Sequence, residues 1–278
     1  MRMAKQLSDR YIIDPHDGMR VEVVGPWSLE KHCRLRKYVD ITKKTRAKYD
    51  YSGAAYIDLY CGPGKIQVRG EDSIEDGSPL LALKESLKES PFTSIHIADA
   101  DKENLESCAK RLRSISGSPK IYEYTGKAED TASEVIKDIN KSGLHLAFLD
   151  PYSIGAIPFS VIETLAKVKR MDMIIHVSEM DLNRNIRMYK ETGVLERFAP
   201  GCEQEIDWRH KDEIVRSELF NYWRSKLTEL DYIVGGAEKV TGDKNQPFYW
   251  LVSVSKNDLG KKFWDEIRQV EPQRGFNF

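Results

Sequence analysis

The stretch Ala54-Ala55-Tyr56-Ile57-Asp58-Leu59-Tyr60-Cys61-Gly62-Pro63-Gly64 decides the fold that we expect for this chain. It begins as a short apolar strand and ends in an acid, Asp58, followed by a turn that contains two glycines. Because Gly62 and Gly64 have no Cβ and can adopt φ > 0, the backbone of such a turn can approach a nucleotide-like ligand closely. The stretch therefore predicts a ligand site at the carboxyl end of a buried strand.

Strands and helices alternate after this stretch. Continuous apolar runs predict strands over 54–59, 94–98, 120–124, 144–149 and 172–177, with helices between them. Such runs are typical of parallel strands that helices cover on both faces. We therefore predict an α/β fold with a doubly wound, mainly parallel sheet, whose ligands bind beyond the carboxyl ends of the strands.

The pattern changes after the fifth strand. Residues from about 181 to 230 predict a helical insertion, and the apolar runs 232–239 and 249–255 predict two strands that pair antiparallel across a polar loop. We divide the chain into an N-terminal part, 1–50, and an α/β domain, 51–278.

The N-terminal part is predicted to be irregular over residues 1–26 and helical over 27–49. The helix is crowded with Lys and Arg, among them Lys31, Arg34 and Arg46. Two interpretations stay open: a solvated charged face, or a basic surface that binds phosphates.

Composition and charge exclude several classes of protein. The 278 residues carry a formal net charge of -1, so a strongly basic nucleic-acid binder is not indicated. No apolar run is long enough to span a membrane, and residues 1–6 do not read as a signal peptide. The four cysteines are scattered without C-x-x-C pairs, which predicts reduced thiols in the cytoplasm and no metal site.

Three features fall where a nucleotide site of an α/β fold needs them. The first is the turn after strand one, with Asp58, Tyr60, Cys61, Gly62, Pro63 and Gly64 as candidate cofactor-binding residues. The second is Asp99, followed by Ala100, directly after strand two, where a carboxylate can accept hydrogen bonds from ribose hydroxyls. The third is the loop after strand three, with Ala128 and Glu129. Each acid has an alternative role as a turn or helix-start residue.

The spacing of the turn narrows the choice of cofactor. A dinucleotide motif needs a third glycine where Gln67 stands, and a P-loop needs glycine at Leu59 and Ser or Thr at Ile66. An acid that is followed, after Leu59 and Tyr60, by a turn with G-x-G inside it instead resembles the first motif of class I methyltransferases, which implies S-adenosylmethionine as the cofactor. That resemblance also implies a seven-stranded sheet with an antiparallel last strand.

Strand four ends in Asp150-Pro151-Tyr152, the candidate catalytic residues. Pro151 has a fixed φ and no N–H, so the Asp150 carboxylate and nearby carbonyl groups remain as acceptors for an amino group, while Tyr152 can stack on a planar substrate. The tripeptide resembles the Asp-Pro-Pro-Tyr motif of amino-group nucleic-acid methyltransferases but lacks the second proline. The alternative is a tripeptide that only ends a strand. Further candidates for substrate binding are Lys31, His32, Ser78 and Glu179.

Several segments together resemble the three-Cys-motif partner protein family; they are Lys31–Tyr38, Tyr56–Gly64, Gly77–Leu83, Phe148–Tyr152, Tyr249–Lys256 and Gln273–Phe276. The resemblance covers roughly residues 28–278 and implies a class I methyltransferase-like fold and a protein partner that carries three cysteines. The expected acceptor is an amino group of a DNA or RNA base or a partner-linked substrate. The alternative function is a non-catalytic adaptor that binds a partner protein or nucleic acid.

Overall fold

The computed structural model describes residues 5–6, 9–49, 51–241 and 247–269. Residues 1–4 and the Gln273–Phe276 segment of the family resemblance lie outside the described residues. The strands, in chain order, are β1 Lys5–Gln6, β2 Tyr11–Ile13, β3 Arg20–Val24, β4 Ala54–Asp58, β5 Lys65–Val68, β6 Ile74–Asp76, β7 Ser94–Asp99, β8 Lys120–Thr125, β9 Leu144–Leu149, β10 Met171–Val177, β11 Ile233–Val234, β12 Glu238–Thr241 and β13 Pro247–Ser255.

The helices surround these strands. In chain order they are α1 Ser28–Ile41, α2 Lys43–Ala47, α3 Ser78–Lys88, α4 Lys102–Arg113, α5 Ala128–Asp138, α6 Phe159–Ala166, α7 Glu179–Glu191, α8 Val194–Phe198, α9 Cys202–Glu205, α10 Asp212–Glu229 and α11 Asp258–Gln269, with a 3₁₀ turn at Ile154–Ala156. Helices α7 to α10 form the predicted helical insertion after the fifth parallel strand.

The large sheet has the strand order β11-β13-β10-β9-β4-β7-β8. Strands β10, β9, β4, β7 and β8 run parallel, and the last strand, β13, lies antiparallel between β10 and β11. This arrangement confirms the predicted class I methyltransferase type of sheet with its antiparallel last strand.

An eighth strand, β12, also pairs with β13, so two short strands line the far edge of β13. The interruption between β11 and β12 falls at two glycines. Gly235 leaves room for the Trp264 indole, because a Cβ there would lie 2.9 Å from its Cδ1, and the indole Nε1 donates to Gly236 O at 2.9 Å. A packed tryptophan therefore divides the single strand that the sequence predicts over 232–239.

Helices cover both faces of the large sheet, as the continuously apolar strands predict. One face packs against a core that includes Leu35 of α1, Leu83 of α3 and Trp264 of α11. The other face packs against a core that includes Val135 of α5 and Trp223 of α10. The division at residue 50 stays a prediction, and α1 shares its core with helices of the α/β domain.

The prediction of an irregular segment over residues 1–26 was wrong. Strands β1, β2 and β3 form a second sheet with β5 and β6, in the order β1-β2-β3-β5-β6. Strand β3 pairs parallel with β5, which directly follows the glycine turn. Within the described part of this segment, strands β2 and β3 belong to this sheet, and residues of β3 border the predicted ligand site.

Candidate functional site

One cavity of about 640 Å³ lies at the carboxyl ends of the parallel strands of the large sheet. This is the position at which doubly wound sheets bind their ligands. The predicted site residues that line it are Lys31, His32, Tyr60, Cys61, Gly62, Pro63, Gly64, Ser78, Asp99, Ala100, Ala128, Glu129, Asp150, Pro151 and Tyr152. Asp58 and Glu179 do not line it.

The glycine turn needs its glycines. Gly62 has φ +55° and Gly64 has φ +83°, in the left-handed region that side chains with a Cβ disfavour. A Cβ on Gly64 would also lie 2.7 Å from Leu80 Cδ1 and 3.2 Å from Cys108 Cα. The turn therefore presents bare backbone to the cavity and is packed closely from behind.

Asp58 lies beneath the turn and is fully buried. Its carboxylate accepts hydrogen bonds from Ser78 Oγ at 2.7 Å, Tyr56 Oη at 3.0 Å and the Tyr60 N–H at 3.1 Å. Burial raises the pKa of Asp58 to about 7, although these three hydrogen bonds act in the opposite direction. Asp58 thus connects the glycine turn to the start of α3, because Ser78, the first residue of α3, donates to its carboxylate. The Ser78 side chain makes no capping hydrogen bond to α3.

Asp99 lies on the cavity wall beside the turn. One oxygen accepts from the Gly62 N–H at 3.0 Å and the other from the Asp101 N–H at 2.8 Å. Burial raises the pKa of Asp99, and these backbone hydrogen bonds partly offset the rise. Each carboxylate oxygen can accept more than one hydrogen bond, so both oxygens of Asp99 remain available to ligand hydroxyls.

On the other side of Asp99 from the glycine turn, the cavity wall continues into the loop after β8. This loop begins beside Asp99, where the Gly126 N–H donates to Asp99 O at 3.1 Å, and leads into α5. Ala128 is buried, and Glu129 accepts from Arg197 Nη2 at 2.6 Å and from Ser160 Oγ at 3.1 Å. Arg197 belongs to α8, so the helical insertion holds this wall of the cavity.

The Asp150 carboxylate is paired with a lysine from the first helix. Lys31 Nζ lies 2.7 Å from Asp150 Oδ1 and 2.5 Å from Oδ2, and His176 Nδ1 lies 3.3 Å from Oδ1. Burial alone would raise the pKa of Asp150, but the charge of Lys31, the nearby His176 and the Lys31 hydrogen bond lower it. Asp150 is therefore an ionised group inside a nearly buried ion pair.

Two neutral imidazoles flank this ion pair. Burial and the charge of Lys31 lower the pKa of His32 and of His176 to about 4 each. Sequence analysis named Glu179 as a candidate for substrate binding in the cleft. In the structure His176 lines the cavity, whereas Glu179 is buried outside it and binds Lys239 Nζ at 3.0 Å.

Pro151 is buried, whereas the Tyr152 ring is 77% exposed at the cavity wall. The Arg10 guanidinium lies 5.9 Å from the centroid of this ring. Tyr152 is thus the exposed aromatic side chain beside Asp150 that the tripeptide predicts.

Sequence reasoning missed a group of cavity residues that come from distant parts of the chain; they are Arg10, Tyr11, Glu22, Trp27, Phe248 and Tyr249. Trp27 and Phe248 pack with ring centroids 4.7 Å apart, and Tyr249 Oη donates to Trp27 O at 3.1 Å. The usable signal was the run Arg20–Val24, where a lone acid, Glu22, stands among three valines.

The predicted basic helix has buried and exposed cations, and Arg36, Lys44 and Lys48 are exposed. Lys31, Arg34 and Arg46 are all buried. Arg34 donates to Ile267 O at 2.7 Å, and Arg46 donates to Ser90 O at 3.0 Å, so these side chains hold elements together. Burial removes Arg34 and Arg46 from a phosphate-binding surface, whereas Lys31 lines the cavity.

Among the residues that the structure describes, no group of three or more potential metal ligands occurs, and no helix is both long and apolar enough to span a membrane. Cys61 and Cys108 are both buried and free.

No protein-family model matches the sequence, and no curated protein matches it either. Among solved structures, a Legionella pneumophila protein with the family model DUF519 is similar with a TM-score of 0.52 and 8% identity, over 85% of this chain and 91% of that chain. At this identity the likeness shows the fold alone.

Two methyltransferases solved with SAH are also similar in structure. The O-methyltransferase from Bacillus cereus has a TM-score of 0.47 and 12% identity, over 88% of this chain and 84% of that chain. The magnesium protoporphyrin IX methyltransferase from Synechocystis has a TM-score of 0.39 and 12% identity, over 82% of this chain and 87% of that chain.

Proposed function

We propose that this protein transfers a methyl group from S-adenosylmethionine to an acceptor held beside Asp150. One observation carries the proposal: the glycine turn, Asp99 and the Asp150–Tyr152 tripeptide line the same cavity. Each of these features alone has an ordinary structural role. Their convergence at the carboxyl ends of parallel strands favours a shared ligand.

The residues of the cofactor half fit S-adenosylmethionine. The bare backbone of Gly62 and Gly64 allows close approach of the methionine portion, and Asp99 has oxygens for the ribose hydroxyls. Ala128 and its neighbours border the space for the adenine. Bound there, the cofactor supplies a methyl group on a positively charged sulfur, which leaves as a neutral thioether. The protein then has mainly to align the two reactants.

The acceptor half suits an amino group beside a planar ring. The Asp150 oxygens can accept hydrogen bonds from the N–H groups of the amino group. The exposed Tyr152 ring can stack on the planar ring that bears this amino group. A DNA or RNA base and a partner-linked substrate both satisfy this chemistry. The buried Arg34 and Arg46 are unavailable to phosphates, so the nucleic-acid proposal rests on Asp150–Tyr152 and on the exposed cations of the predicted basic helix, Arg36, Lys44 and Lys48.

Calorimetric titration with S-adenosylmethionine and S-adenosylhomocysteine tests the cofactor proposal. We expect both to bind, and we expect Asp99→Asn to weaken binding about tenfold, because a hydrogen bond to a charged acceptor is replaced by a neutral one. The matched control is Asp72→Asn at an exposed loop position. No binding of either compound at millimolar concentration would refute the proposal.

The second candidate is a non-catalytic adaptor with the same fold. The Lys31–Asp150 ion pair favours it, because both carboxylate oxygens already contact the ammonium group. Labelled S-adenosylmethionine incubated with a cell lysate separates the two functions. Label transferred by the wild type and lost in Asp150→Asn supports the enzyme, whereas cofactor binding without any transfer supports the adaptor. Membership of the three-Cys-motif partner family, its protein partner and a cytoplasmic location stay predictions.

A further inference from the structure

Glu22 belongs to the second sheet, and its side chain lies next to the glycine turn. It stands in β3, whose neighbour β5 directly follows the turn, and in this parallel pair Glu22 lies opposite Ile66. A Cβ placed on Gly62 would lie 3.2 Å from Glu22 Oε2. The carboxylate is therefore next to the bare backbone at which the proposed cofactor binds.

One oxygen of this carboxylate is held and the other is open. Arg10 donates to Oε1 from Nε at 3.2 Å and from Nη2 at 3.1 Å. Oε2 accepts no hydrogen bond from any residue that the structure describes. The Glu22 side chain is 26% exposed and lines the cavity, so Arg10 orients it while Oε2 remains available to a ligand.

A buried arginine fixes β3 against the turn. Arg111 Nη1 donates to Arg20 O at 2.6 Å and to Pro63 O at 2.7 Å, which joins the start of β3 to the turn through one guanidinium. The same side chain binds both oxygens of Asp17 at 2.8 Å. The position of Glu22 relative to Gly62 is thus set by buried contacts.

The ligand group that Glu22 suits is a hydrogen-bonding cation. Burial raises the pKa of Glu22, whereas the charges of Arg10 and Lys31 lower it, so a cationic ligand beside Oε2 favours the ionised form. Asp99 contacts the same glycine from another direction, through the Gly62 N–H, and has the ribose role in the proposed function. The amino-acid end of the cofactor is left for Glu22.

We propose that Glu22 binds the α-ammonium group of the methionine portion of S-adenosylmethionine, as a cofactor residue that the N-terminal sheet contributes. This inference rests on the proposed function. It gives the N-terminal sheet a part in the site, since the glycine turn offers only backbone groups at this position.

The test compares three ligands on two variants by calorimetry. S-adenosylmethionine and S-adenosylhomocysteine carry the ammonium group, whereas 5′-methylthioadenosine lacks the whole amino-acid portion. We expect Glu22→Gln to weaken the first two about tenfold and to leave 5′-methylthioadenosine unchanged. The matched control, Glu75→Gln, changes an exposed acid in β6 of the same sheet and should leave all three affinities unchanged.

Each other outcome contradicts this role. An equal loss for 5′-methylthioadenosine would mean that Glu22 acts through the shape of the cavity, and unchanged affinities would mean that it makes no contact. A loss confined to S-adenosylmethionine would assign Glu22 to the sulfonium instead. If the wild type binds none of the three, the proposed function itself fails, and that result is distinguishable because it needs no variant.

Discussion

The two halves of the cavity are built in different ways. In the cofactor half, the glycine turn exposes backbone, and Asp99 accepts hydrogen bonds from the backbone N–H groups of Gly62 and Asp101. In the acceptor half, Lys31 and Asp150 satisfy each other's charge inside the protein. The cofactor half is formed in advance, whereas an acceptor must compete with an existing ion pair.

This difference indicates where selectivity arises. A preformed half binds its ligand without rearrangement and at little entropic cost. A buried ion pair costs energy to separate, so under the proposed function an acceptor beside Asp150 has to replace the hydrogen bonds of that pair. We therefore expect substitutions in the two halves to differ in size and in kind.

The largest effect should come from removing one partner of the buried pair. Lys31→Met leaves Asp150 without its counter-charge, and we expect a loss of about 3–5 kcal/mol in the free energy of unfolding. The control is Lys43→Met, because Lys43 pairs with Asp40 and Glu89 near the surface, where solvent screens the pair, and its loss should cost much less than that of Lys31. Urea denaturation measures both, and similar losses would show that the acceptor half does not depend on this pair.

The acid beneath the turn should make stability depend on pH. The pKa of Asp58 is about 7 in the folded protein and near 3.8 in the unfolded chain, so the folded state binds the extra proton between these values. Stability should therefore fall as pH rises from about 4 to 7, by at most about 4 kcal/mol relative to Asp58→Asn. Thermal denaturation of both proteins across this range measures the difference, and parallel profiles would contradict the buried, protonated carboxyl.

A smaller difference in stability is expected between substitutions at Gly64 and Gly70, which have similar positive φ angles. Gly64→Ala adds a methyl group 2.7 Å from Leu80 Cδ1, and we expect a loss of about 2–4 kcal/mol together with loss of cofactor binding. Gly70 has φ +88°, and a Cβ added to it would meet no atom of the described residues within 4 Å. Gly70→Ala should therefore cost only about 1–2 kcal/mol, for its backbone conformation. Equal losses would mean that the close packing behind the turn contributes nothing.

The cofactor half was accessible to sequence reasoning because its determinants are local. The strand, Asp58 and the two glycines are consecutive, and β9 was predicted with the same bounds as the structure, Leu144–Leu149. The order of strands follows from the alternation of elements and the class I methyltransferase resemblance. The existence of the parallel strands was therefore predictable from single segments, whereas their order came from the resemblance.

The acceptor half and the second sheet depend on contacts between distant residues. Lys31 and Asp150 are 119 positions apart, and a lysine in a helix gives no sign that its partner follows a strand. Strands β2 and β3 are short, with 3 and 5 residues, and β3 gains its neighbour β5 only when the glycine turn returns the chain. The sequence likewise could not show that Arg34 and Arg46 are buried, because their burial is set by contacts with distant residues. The charged helix around Lys31 was therefore open to interpretation as an exposed basic surface.

The most direct test of the shared cavity is a crystal structure of the protein with S-adenosylhomocysteine. We predict that the ribose hydroxyls lie at Asp99, the amino-acid portion lies along Gly62 to Gly64, and the sulfur faces Asp150. Binding of the compound at another place, or with its sulfur turned away from Asp150, would contradict a methyl transfer in this cavity.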